Sequence, residues 1–284
     1  MNEGRFKQGI SGITDTGQWR LVVELSASGV SAFLKNIDSE AEMPLLLFQR
    51  QWESSRDDLL SHIESAVYDN PRLLEDFATH IIVTTPKALW IPAEFMEEDE
   101  FDENLFTCVY PAKLEDIRAD VGNEEVCLYT LTPGLNSFLQ RTLPGSRISS
   151  HLSVLKNKLE QMEVFRLSGN VSSGNLDRLY LNLRGAEVDI FVFKNGRFMS
   201  GSVHPYEGSS DVAYFALLAC HVYGLRPSTT GICLYSEKSD KASVFALLSE
   251  IFESVSIITI NGSEKAEPIS LASAIASGMD CKIE

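Results

Sequence analysis

The sequence predicts an α/β protein made of two tandem, duplicated domains, each with the element order β-β-β-α-β-α-β-α. The first observation is an internal repeat, in which the stretch from Arg20 to Leu34 aligns without a gap on the stretch from Arg178 to Val192. A repeat of this length is too long for a solenoid unit and indicates two related domains. The second observation is that strand-like and helix-like runs alternate after each repeat, which predicts parallel strands joined by crossover helices. Two such domains are expected to enclose an interdomain cleft, where ligands commonly bind.

Each repeat predicts a β-hairpin. In the first copy, apolar and polar residues alternate from Trp19, the sequence Ser26-Ala-Ser-Gly29 forms the turn, and the returning strand ends at Lys35-Asn36. In the second copy, the hairpin covers residues 178–194 and a turn follows at Asn195-Gly196. Alternation on both sides of a Gly-containing turn is typical of antiparallel pairing. The leading strands of both domains are therefore predicted to be antiparallel.

The remaining runs of each copy complete the same plan. In the first copy we expect a strand at 43–49, a helix from Ser55, a strand at 79–84, a helix from near Pro92, strands at 105–110 and 125–131, a helix at 133–141, an extended segment at 147–153 and a helix at 154–165. In the second copy we expect a strand at 197–203, a helix at 209–223, a strand at 231–235, a helix at 241–253, a strand at 255–260 and a helix at 269–277. Periods of 3.6 and 2 residues distinguish the two element types.

A Gly/Ser/Asn-rich stretch at 168–175 predicts the seam between the copies. We therefore assign residues 1–172 to the first domain, which includes an N-terminal arm to about residue 18 and several insertions. Residues 173–284 form the second domain.

The composition restricts the partners and the location. The chain of 284 residues carries a net charge of −16 and has no Lys/Arg-rich run, so a nucleic acid or an anionic membrane surface is a poor partner. No apolar stretch approaches the roughly 18–20 residues that a membrane helix needs. Five widely spaced cysteines without a C-x-x-C pair fit a reducing compartment. These features predict a soluble, cytoplasmic protein.

Two tandem domains of this plan resemble the actin-like ATPase fold shared by actin, Hsp70 and sugar kinases. Besides the paired hairpins, the resemblance is carried by the run Gly201-Ser-Val-His-Pro-Tyr206 and by the strand-then-proline segment from Thr79 to Pro86. It covers nearly the whole chain. More narrowly, the chain resembles an uncharacterised bacterial family with this fold and no established function.

The resemblance implies where a nucleotide would bind. In catalytic members each hairpin carries an Asp-x-Gly-type turn, whose amides hold phosphates and whose Asp holds a Mg²⁺-bound water. The positions that match these motifs here are Glu24, Ser26, Ser28 and Gly29 in the first hairpin and Asn182, Arg184 and Gly185 in the second. Glu is longer than Asp and Asn is neutral, so neither reproduces the expected carboxylate. No glycine pair follows the strand at 231–235, and no acid or Gln follows Thr84.

These departures favour a non-catalytic actin-like scaffold or interaction protein that has lost ATP hydrolysis. In this hypothesis the partner is a protein, and no catalytic residue, metal or cofactor is expected. The alternative is a divergent nucleotide-binding ATPase or small-molecule kinase that uses ATP with Mg²⁺ in the cleft. Glu24 would then replace the Mg²⁺-holding acid, the turn at Ser26–Gly29 would bind phosphate, and Arg184 would supply positive charge.

Two other segments of the sequence are candidate sites. The acidic run from Glu94 to Glu103 fits either a hard-cation site or docking surface for a basic partner, or an exposed helix start or loop. The exposed helix start or loop is favoured because the spacing of an EF-hand and its central Gly are missing. The loop from His204 to Gly208 fits either a polar ligand or a simple turn, and the turn is favoured. The five histidines lack ligand spacing, so no metal site is predicted.

Overall fold

The structure, a computed structural model, describes residues 15–39, 43–52, 59–97, 100–101, 103–168, 176–236, 241–260 and 269–283. Their contacts form two compact units. The first unit contains the described residues up to Ser153 together with Ala272–Met279, and the second contains the other described residues from Val154 onward. The contacts thus divide inside a helix, and a C-terminal segment belongs to the first unit. The domain boundary at 172/173 stays a prediction, and the seam at 169–175 lies outside the described residues.

The chain up to residue 168 contains ten strands and four α-helices among the described residues. They are β1 (Trp19–Ser26), β2 (Gly29–Asn36), β3 (Leu45–Gln51), α1 (Leu59–Tyr68), β4 (Ala78–Val83), β5 (Ala88–Pro92), β6 (Met96–Glu97), β7 (Glu100–Phe101), α2 (Glu103–Val109), β8 (Ile117–Val121), β9 (Glu125–Thr130), α3 (Leu135–Thr142), β10 (Arg147–Ser150) and α4 (His151–Ser168).

The first unit is built on a five-stranded sheet with the order β10-β4-β1-β2-β3. β1 pairs antiparallel with β2 and parallel with β4, which confirms the predicted hairpin and crossover. Leu21, Val23 and Leu25 of β1 pack in one apolar cluster with side chains of α1 and α3. Val22 on the opposite face is also fully buried. Burial on both faces explains the strongly apolar sequence of this strand.

A smaller sheet with the order β5-β9-β8 lies in the insertion of the first unit. The predicted strand at 105–110 is wrong, because these residues fall largely in helix α2. Phe106 is fully buried and its ring lies 5.3 Å from the ring of Tyr110, four positions later. That spacing places both rings on one helix face, whereas a short apolar run does not distinguish a helix from a strand. The helix expected from near Pro92 is likewise wrong, since only a 3₁₀ turn forms at Ala93–Phe95.

The second unit and the C-terminal segment contain the remaining elements. They are β11 (Arg178–Arg184), β12 (Glu187–Lys194), β13 (Arg197–Pro205), α5 (Ser209–Tyr223), β14 (Gly231–Ser236), α6 (Lys241–Ile251), β15 (Ser254–Ile260), α7 (Leu271–Ala276) and β16 (Cys281–Ile283).

The second sheet has the order β13-β12-β11-β14-β15-β16. The order β3-β2-β1-β4-β10 of the first sheet corresponds strand by strand to the order β13-β12-β11-β14-β15 of the second sheet. The duplication predicted from the repeat is therefore confirmed in the topology. Leu179, Leu181 and Leu183 of β11 face a core formed with α5 and α6. No helix in the described part of the chain is long and apolar enough to cross a membrane.

Candidate functional site

Glu24, the first predicted site residue, lies on β1 two residues before the hairpin turn. It is opposite Ser31 of β2 and beside Ile82 of β4. Its Oε2 accepts a 2.5 Å hydrogen bond from Ser273 Oγ of α7, and its Oε1 accepts a 3.4 Å hydrogen bond from Thr84 Oγ1. Both carboxylate oxygens are therefore engaged by hydroxyl groups of the first unit.

The turn after Glu24 is tight and internally hydrogen-bonded. Ser26 Oγ donates to the Gly29 carbonyl at 3.1 Å and accepts from the Ser28 amide at 3.4 Å. The Trp52 amide donates to the Ser28 carbonyl at 3.0 Å. A Cβ on Gly29 would lie 2.6 Å from the carbonyl oxygen of Arg50 in β3, so glycine permits the close approach of the two strands. The close approach of β3 thus explains why residue 29 is a glycine.

The second hairpin brings Asn182, Arg184 and Gly185 together with an acid that sequence reasoning missed, Asp189. Asn182 Nδ2 donates to Asp189 Oδ2 at 2.7 Å. Arg184 Nε donates to Asp189 Oδ2 at 2.8 Å, and its Nη2 donates to Oδ1 at 2.6 Å. The same Nη2 lies 3.3 Å from Glu187 Oε2. Gly185 forms the turn itself with φ +49°, a conformation that glycine adopts without strain.

Electrostatics explains why Arg184 binds Asp189 rather than projecting from the turn. Asp189 is fully buried, and a buried carboxylate without a cation or donors has a large desolvation penalty. The guanidinium contacts both carboxylate oxygens, a two-point geometry that strengthens a charged hydrogen bond. Asn182, itself buried, adds a third donor, while its Oδ1 finds no hydrogen-bond partner among the described residues. Within the second hairpin, the buried Asp189 carboxylate therefore balances the charge of Arg184.

The two hairpins carry their carboxylates on different strands. The repeat aligns the cross-strand pair Glu24–Ser31 with the pair Asn182–Asp189. The acid thus lies on the first strand of one hairpin and on the second strand of the other. A single Asp between Val188 and Ile190 in an otherwise apolar strand was the available signal.

A second buried polar cluster, also missed from the sequence, lies between α4 and β11. Glu163 is only 1% exposed, and it accepts hydrogen bonds from Tyr180 Oη and from Arg166 Nη2, the latter at 2.5 Å. Arg178 Nε lies 3.8 Å from its Oε1. Burial, together with the nearby Cys233 and Glu163, raises the pKa of the Tyr180 hydroxyl. The sequence signal for this cluster was Glu163, which lies four residues after the buried Leu159 and therefore on the same helix face.

The loop proposed from His204 to Gly208 begins later than expected, because His204 and Pro205 are the last residues of β13. The His204 ring stacks on Phe215 with centroids 4.3 Å apart, and its Nε2 lies 2.9 Å from Ser202 Oγ. Burial lowers the pKa of His204. The imidazole therefore has a packing role in this sheet edge.

The described residues of the other predicted segments do not add a reactive group. Residues 231–236 form β14, as expected, and the loop that follows lies outside the described residues. The acidic run from 94 to 103 is described only in part, since 98, 99 and 102 are excluded. Within the described ranges, no group of three or more His, Cys, Asp or Glu residues could hold a metal ion.

Comparison with solved structures identifies the fold of the protein. A Bacteroides thetaiotaomicron protein with actin-like ATPase fold and unknown function superposes with a TM-score of 0.75 at 19% identity, covering 96% of this chain and 100% of that protein. The chain thus has the actin-like ATPase fold. Weaker similarities include the ethanolamine utilization protein EutJ of Carboxydothermus hydrogenoformans (TM-score 0.41, 9% identity, 84% of each chain). A PilM–PilN type IV pilus biogenesis complex has a TM-score of 0.45 at 10% identity, with 85% of this chain and 88% of that chain covered.

The sequence assigns the family. Residues 12–255 match the model of DUF3822, described as a protein of unknown function. Because the match spans well over half of the chain, the protein belongs to the DUF3822 family. No curated protein matches it in sequence.

Proposed function

We propose that this protein is a non-catalytic actin-like scaffold or interaction protein, cytoplasmic, with a protein as its partner and without ATP hydrolysis. The observation that carries the proposal is the ion pair between Arg184 and Asp189. At the second phosphate-binding position implied by the fold, the cation already binds an internal carboxylate through two hydrogen bonds. A phosphate that took the same two donors would have to displace that buried carboxylate, which would then lose its counterion.

The first hairpin supports the same conclusion. Glu24 takes the position of the Mg²⁺-holding acid, yet both of its oxygens accept hydrogen bonds from Ser273 and Thr84. Asn182, at the matching position of the second hairpin, is neutral. Phosphoryl transfer depends mainly on positioning and on charge neutralisation by metal and cations. The side chains of Glu24 and Arg184, which would hold the metal and the phosphate, thus already make hydrogen bonds within the protein.

Helix α5 supports a protein as the partner class. Its Tyr214, Leu217, Leu218 and Val222 are between 38% and 63% exposed. No Asp, Glu, Lys or Arg occurs between Asp211 and Arg226. Such an uncharged apolar face matches an apolar surface of another protein rather than a nucleic acid or an anionic lipid. The five cysteines all lie in the described residues and form no disulfide, which supports a reducing compartment.

Calorimetric titration of the full chain with ATP and ADP, each with and without Mg²⁺, tests the proposal. We expect no saturable heat and no rise in melting temperature at nucleotide concentrations of about 1 mM. Binding with a Kd in the micromolar range that Glu24→Ala or Arg184→Ala abolishes would overturn the scaffold proposal in favour of a nucleotide-dependent enzyme. Arg197→Gln, an exposed arginine substitution in the same sheet, is the matched control for Arg184.

A further inference from the structure

A pocket of about 810 Å³ lies in the second unit beside the C-terminal half of α4. Its helical wall includes Lys158, Met162, Phe165 and Arg166. Met162 lies four residues after Lys158, and Phe165 and Arg166 lie three and four residues after Met162, so these side chains share one helix face. Arg178 at the start of β11, Ser256 of β15 and all three residues of β16 line the rest. The volume is within the range of about 300–1,000 Å³ that small-molecule sites occupy. None of its lining residues belongs to either hairpin turn.

Positively charged side chains line the pocket, although the net charge of the chain is −16. Lys158, Arg166, Arg178 and Lys282 line it, and Asp280 is its only acidic lining residue among those described. Lys158 is paired with Asp280 at 2.9 Å. Four cations beside two acids, the lining Asp280 and the buried Glu163, leave this surface with a positive charge, opposite in sign to the net charge of the chain. Such a concentration of positive charge favours an anionic ligand.

Arg166 and Arg178 share a single counterion. Both contact Glu163, Arg166 Nη2 at 2.5 Å and Arg178 Nε at 3.8 Å, so two guanidinium charges face one carboxylate. Within the described ranges, the Arg178 side chain makes one hydrogen bond, from Nη1 to Cys233 Sγ at 3.3 Å. Its Nη2 thus has donor capacity that no described protein group uses. A second anion would balance this surplus charge.

The same pocket has an apolar wall. Met162 and Phe165 of α4 and Ile283 of β16 contribute it, and Phe165 is 82% exposed. A large aromatic side chain gains the most from contact with another apolar group when it is this exposed. Burial raises the pKa of Cys281 to about 11, so that lining thiol is neutral.

We propose that this pocket binds a small anionic amphiphile, with its acidic head at Arg178 and Arg166 and its apolar chain against Met162, Phe165 and Ile283. The head is a carboxylate or a phosphate monoester, since both accept two-point hydrogen bonds from guanidinium groups. The proposal is independent of the scaffold role, because none of these residues belongs to either hairpin turn.

Calorimetry with the full chain tests the ligand class through four probes: octanoate, octyl phosphate, 1-octanol and inorganic phosphate. We expect at least one of the two octyl anions to bind with a Kd of about 100 μM or tighter, and 1-octanol and inorganic phosphate to bind at least about tenfold more weakly. The tighter anion identifies the head group. Equal affinity for 1-octanol, or no saturable binding of either anion below about 1 mM, would refute the proposal.

Two variants test the assigned residues. Phe165→Ser removes the exposed aromatic wall and Arg178→Gln removes the head-group cation, and each is expected to weaken octyl anion binding by about tenfold. Val164→Ser, 66% exposed but outside the pocket lining, and Arg197→Gln are the matched controls and should bind within about twofold of wild type. If Arg178→Gln does not fold, Phe165→Ser against Val164→Ser decides alone. Equal losses in Phe165→Ser and Val164→Ser would exclude the assigned pocket.

Discussion

Arg184 and Asp189 form a buried ion pair whose two members are strongly interdependent. Asp189 is fully buried, and the Arg184 side chain is 12% exposed. When one partner of such a pair is removed, the other is left as an uncompensated buried charge. The hydrogen bond from Asn182 to the same carboxylate compensates only part of that loss.

We therefore predict that Arg184→Gln lowers the free energy of unfolding by about 3–5 kcal/mol, as measured by urea denaturation. Arg197→Gln, at an exposed position of the same sheet, should change it by less than about 0.5 kcal/mol. Arg184→Gln combined with Asp189→Asn should recover part of the loss, because the double variant buries no charge. A double variant no more stable than Arg184→Gln would contradict this account.

His80 of β4 gives the first unit a pH dependence. Burial, with smaller contributions from Arg147 and Arg20, lowers the pKa of His80 from 6.5 to about 4. As the pH falls through 6.5, the unfolded chain takes up a proton that the folded chain does not bind until about pH 4. This histidine therefore contributes stability that is fully present above pH 6.5 and is lost as the pH falls towards 4.

In urea denaturation at pH 7.5 and pH 4.5, we predict that wild type loses about 2 kcal/mol more than His80→Gln between the two pH values. The loss of stability in wild type must be compared with the loss in His80→Gln, because burial also raises the pKa of Asp120. The raised pKa of Asp120 changes the stability with pH in the opposite direction, and it does so equally in both proteins. Parallel pH profiles of the two proteins would show that His80 is not the titrating group.

Residue roles were predictable from the sequence only where they depend on near neighbours. The hairpin positions of Glu24, Asn182 and Arg184 followed from the repeat, but the partner of Glu24 is Ser273, 249 positions away. No periodicity links those two residues. Asp189 could have been found, since an acid in an apolar strand requires a partner across the hairpin.

At the scale of elements, the hairpins and crossovers were predictable because period-2 alternation and helical spacing are strong in those segments. The register of β1 against β2 matches the predicted turn, with Ser26 opposite Gly29. Helix α2 was misassigned because its apolar run is short, and a short apolar run does not distinguish a helix from a strand. Strands β5 and β8 were not predicted, since each depends on pairing with β9 rather than on its own sequence.

The close packing of β3 against Gly29 at the first hairpin turn can be tested by substitution. Gly29→Ala would place a Cβ 2.6 Å from the Arg50 carbonyl oxygen, so strand β3 must move. We expect a loss of about 1–3 kcal/mol in the free energy of unfolding. Gly208→Ala is the matched control, because Gly208 has φ −152° and its Cβ would meet nothing closer than 4.0 Å. If the two variants have equal urea midpoints, β2 and β3 are not closely packed at this point.

For the molecule as a whole, the C-terminal segment completes the first unit. Ser273 donates to Glu24, and Arg20 Nη1 donates to the Ala276 carbonyl at 3.3 Å. Ala272 and Ala274 are buried as well. All three tryptophans (Trp19, Trp52 and Trp90) precede residue 153, so tryptophan fluorescence reports on the first unit.

We predict that a chain ending at Leu271 has a lower urea midpoint by tryptophan fluorescence, equivalent to a loss of at least about 2 kcal/mol. A chain ending at Asp280 removes only β16, which belongs to the second unit, and should keep the wild-type fluorescence midpoint. Unchanged midpoints in both truncated chains would show that α7 contributes nothing to the first unit.

The late position of α7 also matters while the protein is being made. A ribosome produces β1 first, and at roughly 5–20 residues per second about 10–50 s pass before Ser273 is added to the chain. During that interval Glu24 and Thr84 can form their contact, whereas the hydroxyl group that binds Glu24 most closely does not yet exist. The first unit therefore reaches its full native hydrogen bonding only after α7 has been synthesised.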